Sequence, residues 1–259
     1  MTALTVIEQE LFDLGINSPK EIDVEAIAWL KGAAVKYRQL DTCAARIVGG
    51  ETRAIITVQR DDPPERRRFS IGHELGHWQW HKGEVLYCDS KSIESHKLTG
   101  GVERERLADR FSAQLLMPRF LMEPRLRAEP NFTWSTTYSL SREFRTSLRA
   151  TAIRIVELGV QSCMLACYQE DRRCWFVAGP NFPDHLIPPV RLPPGSAASD
   201  FANGNRGRNQ LVRTPAQVWF NHVSTTSSVI REQVVDAGNG QFLVNLLIED
   251  PQLLKAPRW

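Results

Sequence analysis

No run of apolar residues in this chain approaches the roughly 20 that a bilayer-spanning helix needs, so a membrane-embedded protein is not expected. The opening MTALTVIEQELFDLGI lacks the positive stretch and long apolar core of an export signal, and its apolar positions recur at helical spacing. An excess of charge of either sign is lacking too. The 32 Lys and Arg nearly balance 30 Asp and Glu, which leaves no overall field to draw the chain to nucleic acid or an anionic membrane. Binding of that kind would need a local patch. Cysteine is sparse: Cys43, Cys88, Cys163, Cys167 and Cys174 are odd in number and have no disulfide-dense spacing. Cys163 and Cys167 stand four apart in an apolar stretch and read as core. Together these absences predict a reduced, cytoplasmic protein. Internal repeats are also lacking.

What is present is an ordinary globular composition, 42% apolar and 24% charged over 259 residues, enough for one sizeable core or two compact domains. Apolar spacing predicts helices over 3–14 and 23–32, with Pro19 and Asp23 as start signals for the second. Three short β-rich runs, AAVKYRQL, CAARIVGG and TRAIITVQ, predict a small antiparallel sheet, closed by Pro63 and Pro64. Helices are expected over 69–80 and 102–116, the latter stopped by Pro118. Two short helices follow around Thr146 and Ser147, with Ser147 a candidate cap. Beyond Gly159 the pattern changes. CMLACYQ and RCWFVAG read as paired strands, 179–215 as a long irregular connection rich in Pro, Gly and Asn, and QVWFNHV and QFLVNLLIE as further strands.

Three of the six histidines lie in IGHELGHWQWH, residues 71–81. His73 and His77 are four apart, so on a helix their imidazoles share one face and can aim at one ion. Glu74 follows His73 directly, about 100 degrees around the helix axis. There it can act as general base on a metal-activated water rather than as a ligand. The same spacing also suits a buried helix with two hydrogen-bonded histidines, so a third ligand decides between the readings. Downstream, ERERLADRF carries Glu105 and Asp109, again four apart. Glu105 would complete a His-His-Glu set, and Asp109 could accept the free N–H of a ligand imidazole. Glu103 is a competitor that faces elsewhere on the same helix, and Glu105 alone would read as a solvent-facing charge.

RRRFSIGHELGHWQWH followed by ERERLADRFSAQLLMP resembles the ImmA/IrrE family of zinc-dependent metallopeptidases. In that family a His-Glu-x-x-His helix precedes a helix reading roughly Glu-x-x-Ala-Asn-x-Phe-Ala and ending in Leu-Leu-Met-Pro. The resemblance covers residues 1–160 and is specific over 66–118. It implies that His73, His77 and Glu105 hold one catalytic zinc ion (manganese being the alternative), with Glu74 as general base and Asp109 behind a ligand. The chain departs from the pattern at Asp109, usually Asn, and at Ser112, often Ala. The resemblance implies a protein substrate, a helix-turn-helix transcriptional repressor cut in a stress response or mobile-element switch.

The remaining candidates carry bland alternatives. His81 continues the ligand face by a turn but reads better as a helix-end residue. Gly76 points to a close approach by another backbone or by substrate. Tyr87 and His96 could each donate a hydrogen bond to the oxyanion formed in peptide hydrolysis, or be ordinary loop residues. Arg66, Arg67 and Arg68 read as a solvated face or as a cleft lining for an acidic partner. SLSREFRTSLRATAIRIVELG has a helix-turn-helix shape with several arginines, yet Leu140, Phe144, Leu148, Ala152 and Ile155 make an apolar seam. Packing is therefore favoured over direct DNA binding.

The expected fold is α+β. A zincin-like metallopeptidase domain with a small antiparallel sheet spans 1–125, a helix-turn-helix-like helical segment 126–160, and a smaller mixed or β sensor or docking domain 161–259. A DNA- or partner-binding regulator with a structural or sensory metal site is the competing function.

Overall fold

In a computed structural model, residues 3–80, 101–129, 131–205, 210–220 and 228–254 are described. His81, Tyr87, Cys88 and His96 lie outside them. The chain divides into two compact units, Met1–Met122 with Ser141–Ser147, and Glu123–Leu140 with Leu148–Trp259.

The first unit opens with helix α1 (Val6–Asp13). Glu8 reaches back to its start, accepting from the Thr5 amide at 3.0 Å and the Thr5 hydroxyl at 3.1 Å, which satisfies a donor that the helix leaves orphaned. The other oxygen of this buried carboxylate accepts from the Arg119 amide at 2.8 Å. Helix α2 (Val24–Leu30) is capped by Asp23, whose side chain accepts from the amides of Glu25 and Ala26.

Strands β1 (Ala33–Arg38), β2 (Ala45–Gly49) and β3 (Ala54–Gln59) form a sheet of order β1-β3-β2. This corrects the all-antiparallel expectation: β2 pairs antiparallel with β3, but β1 pairs parallel with it. The expectation assumed that neighbours in sequence are neighbours in space. Strand β3 instead takes the centre, where both of its hydrogen-bonding edges are satisfied. Its Ala54, Ile56 and Val58 are buried, and burying a side chain such as Ile56 contributes roughly 1.5–3 kcal/mol.

Helix α3 runs Pro64–Trp80, starting five residues before the expected position, because Pro64 begins the helix. The first helical position has no need of the amide that proline lacks. Helix α4 (Gly101–Leu116) follows as expected. Of the arginine run, Arg66 pairs with Asp62 at the surface. Arg67 lies over the Tyr37 ring at 5.3 Å. Arg68 donates to the Ile22 carbonyl at 3.2 Å, and burial pulls its pKa down to about 10. Two of the three therefore fold back onto the unit.

Pro118 ends α4, but the chain immediately re-forms a helix, α5 (Arg119–Ala128), which the sequence pattern did not disclose because Pro124 lies inside it. Helices α6 (Trp134–Phe144) and α7 (Leu148–Leu158) occupy the expected places, with Ser147 immediately before α7.

The second unit is built on a five-stranded antiparallel sheet of order β5-β4-β8-β7-β6. Its strands are β4 (Cys163–Gln169), β5 (Arg172–Ala178), β6 (Val212–Pro215), β7 (Val229–Gly238) and β8 (Gln241–Ile248). Strands β4 and β8 are buried on both faces. Helix α7 packs on β4 and β5. On the other face Met164, Ala166 and Tyr168 share a core with Phe182 of the long connection and with Trp219 and Phe220 just beyond it. The β7–β8 hairpin turns at Asn239 and Gly240, both at positive φ, the conformation that an Asn-Gly turn favours.

The strand expected at QVWFNHV is absent from its described part. Strand β6 precedes it, and Ala216–Trp219 is a short helix, α9. Pro215 lacks the amide to extend the ladder, and the turn carries Trp219 inward to Glu232. Fully buried on β7, Glu232 accepts from Trp219 Nε1 at 3.0 Å, Thr214 Oγ1 at 3.0 Å and the Ala198 amide at 2.7 Å. The last bond ties down helix α8 (Ala197–Ala202). Burial raises this carboxyl's pKa despite these donors.

Candidate metal centre

Two glycines set the spacing of α3 and α4. A Cβ on Gly76 would lie 2.9 Å from Ala108 Cα, and one on Gly72 would lie 2.6 Å from Ser112 Oγ. The close approach inferred at Gly76 is therefore that of the α4 backbone. Ser112 is fully buried and donates to the Phe69 carbonyl at 2.8 Å, so the hydroxyl that departs from the family pattern is a tie between the two helices. Gly76→Ala should destabilise the chain by about 1–2 kcal/mol, the overpacking cost outweighing alanine's helix advantage. Chemical denaturation of the purified variant measures this, and an unchanged midpoint would remove the glycine's spacing role.

That contact brings four side chains together. His73 Nδ1 lies 2.8 Å from Asp109 Oδ1, so the Asp109 carboxylate can accept Nδ1–H, an arrangement that would leave the Nε2 lone pair to an ion once one is bound. His73 Nε2 stands 2.9 Å from His77 Nε2. Glu105 spans both, with Oε2 3.2 Å from His73 Nε2 and Oε1 3.2 Å from His77 Nε2. One donor atom from each of His73, His77 and Glu105 falls within 4.8 Å of the others. Glu103, on the same helix, is exposed and outside this group.

The imidazoles of His73, then His77, hold the Glu105 carboxyl well below the usual carboxylate range. Bonds of about 2.0–2.1 Å in a tetrahedral site place donor atoms about 3.3 Å apart, close to the distances seen here. The set is the nitrogen-and-oxygen mixture that borderline divalent ions accept. The residues present thus fit a metal ion.

Burial grades across the site. His77 is 3% exposed and His73 16%, whereas Glu105 is 56% exposed and Asp109 59%. The histidines form the inner wall and the α4 carboxylates the solvent side. Glu74 is buried on α3, next in sequence to His73. Sequence spacing placed His73 with His77, and Glu105 with Asp109, on shared helix faces, and His73, His77 and Glu105 do converge; Ser112 as an inter-helix tie was not anticipated. Tyr87 and His96 fall outside the described residues.

A helical domain with a small sheet, and a pair of histidines four apart facing a carboxylate from the next helix, define a zincin-like domain. Residues 30–156 match the family model for the peptidase M78, IrrE N-terminal-like domain. The chain thus carries an IrrE N-terminal-like peptidase domain, and this match supports the resemblance to the ImmA/IrrE family. No curated protein matches the chain. Among solved structures, a Mycobacterium tuberculosis transcriptional regulator is similar with a TM-score of 0.61, over 93% of this chain and 73% of that one, at 16% identity. At that identity the likeness concerns the fold. Among the described residues no helix is long and apolar enough to cross a membrane.

Proposed function

We propose that the chain is a cytoplasmic zinc-dependent endopeptidase. The observation that carries this reading is the convergence of His73, His77 and Glu105 within 4.8 Å, in a chain of a peptidase family. The three side chains hold the ion, and Asp109 fixes the tautomer of His73 through Nδ1–H. When bound, zinc acidifies water and polarises a peptide carbonyl. Glu74 takes the proton of the attacking water and returns it to the leaving amine. The half-exposed α4 carboxylates leave that side of the centre open to an extended chain.

The substrate in this reading is a protein, and specifically a helix-turn-helix repressor whose cleavage relieves repression in a stress response or mobile-element switch. Similarity of fold to a transcriptional regulator is compatible with work in transcriptional control. Residues 161–259 would then serve as a sensor or docking module. Direct DNA binding is not favoured, since α7 turns Ala152, Ile155 and Val156 into the core rather than toward a partner.

The test is incubation of the purified full chain with the repressor encoded nearest to it, before and after chelation. Cleavage that stops on chelation and returns with zinc supports the proposal. Stoichiometric metal with no cleavage under any activating condition would favour a regulator with a structural or sensory metal site.

A further inference from the structure

We propose that Cys167 and Cys174 are a thiol pair that hydrogen peroxide converts, reversibly, into a disulfide across β4 and β5. The proposal is independent of the metal centre and concerns the second unit alone.

The pairing register brings the two residues together. Cys167 pairs with Trp175 while the next residue, Tyr168, pairs with Arg173. Cys174 is thus the extra residue of a β-bulge. In such a bulge two residues of one strand oppose a single residue of the other. Cys174 and Trp175 therefore both stand opposite Cys167, the Cys174 thiol lying near enough to help raise the Cys167 pKa while its own hydrogen points to the Arg172 carbonyl at 4.0 Å.

Their environments are unequal. Cys174 is exposed and Cys167 is buried. The Cys167 thiol also points toward Gln241 Oε1 on β8 at 3.8 Å, and burial pushes it up to about 11. Arg149 stacks its guanidinium over the Trp175 ring at 4.6 Å, and its charge favours the Cys167 thiolate. An accessible thiol beside a protected one is the arrangement in which the first is oxidised and the second resolves it. Cys163 is also buried, and burial pushes its thiol up to about 12; it is expected to stay inert.

The chemistry balances with peroxide as oxidant. The Cys174 thiolate attacks one peroxide oxygen; the S–O bond forms, the O–O bond breaks, and the departing hydroxide leaves as water after taking a proton. The Cys167 sulfur, giving up its proton, then attacks the Cys174 sulfur. The S–S bond forms, the S–O bond breaks, and a second water leaves. Two thiols lose two electrons and the peroxide gains them. A dithiol such as dithiothreitol reverses the change by exchange. The linkage closes the short β4–β5 hairpin and fixes the bulge.

The experiment treats the full chain with hydrogen peroxide, blocks free thiols, and maps the tryptic peptides by mass. Trypsin cuts after Arg172 and Arg173, between the two cysteines, so the disulfide is read as a linked peptide pair, with fragmentation placing the bond on Cys167 rather than on Cys163 of the same peptide. The expected result is that pair, minus two hydrogens and cleaved by dithiothreitol. Cys167→Ser should leave a sulfenic acid on Cys174 that dimedone traps. Cys174→Ser should leave Cys167 as unreactive as Cys163. Three outcomes would overturn the proposal: both thiols still free after oxidation, Cys174 carried to sulfinic acid without a link, or linkage only to Cys43, Cys88 or a second chain.

Discussion

Glu74→Gln is expected to lower the rate of peptide cleavage by a factor of about 10² to 10⁴, the range in which a positioned general base acts. Metal content should stay at the wild-type level. The amide has nearly the shape of the carboxylate but cannot take a proton from water, so the loss falls on the chemical step. Glu74 lies on the buried side of α3, next to a ligand candidate rather than in its place. Turnover of the repressor by wild type and variant, beside zinc determination on both, checks the two halves of this expectation. A fully active variant would remove Glu74 from the reaction. A variant that loses its metal would make Glu74 part of the binding set instead.

Glu105→Ala is expected to weaken zinc binding by more than 100-fold. Loss of a residue that merely orients a ligand costs about 10- to 100-fold in affinity, and a direct ligand should exceed that. Both Glu105 oxygens lie 3.2 Å from imidazole Nε2 atoms, so alanine leaves two nitrogens and no carboxylate. Its side chain is more than half exposed, so the substitution should not unfold the chain. Competition against a chromophoric chelator measures the affinity, and a matched thermal melt separates it from folding. Equal affinity in variant and wild type would assign the third ligand elsewhere.

The convergence of His73, His77 and Glu105 was legible because its signals are local. A spacing of four places His73 beside His77 and Glu105 beside Asp109, and helix periodicity converts each spacing into a shared face. What brings the two pairs together is also written in the chain, in Gly72 and Gly76, but it acts through space. Neither glycine announces that its partner is Ala108 or Ser112. The α+β class was legible from the switch between helical and alternating patterns.

Strand order was less legible. Nothing local in AIITVQ says that β3 sits between β1 and β2, since pairing is decided by edges satisfied at a distance. The helix at 119–128 was hidden by Pro124, and the helix at 216–219, within a run expected as strand, by the pull of Trp219 toward buried Glu232. A carboxyl group buried among donors from separate parts of the chain has no sequence signature. Nor does a bulge that turns an apparently core cysteine, Cys167, toward an exposed one.

The most direct test of the central claim is X-ray absorption at the zinc edge of the stoichiometrically loaded full chain. The two histidines and Glu105 predict only nitrogen and oxygen neighbours at about 2.0–2.2 Å, with the outer-shell signal of two imidazoles. A sulfur neighbour at about 2.3 Å, or a signal of three or more imidazoles, would contradict it.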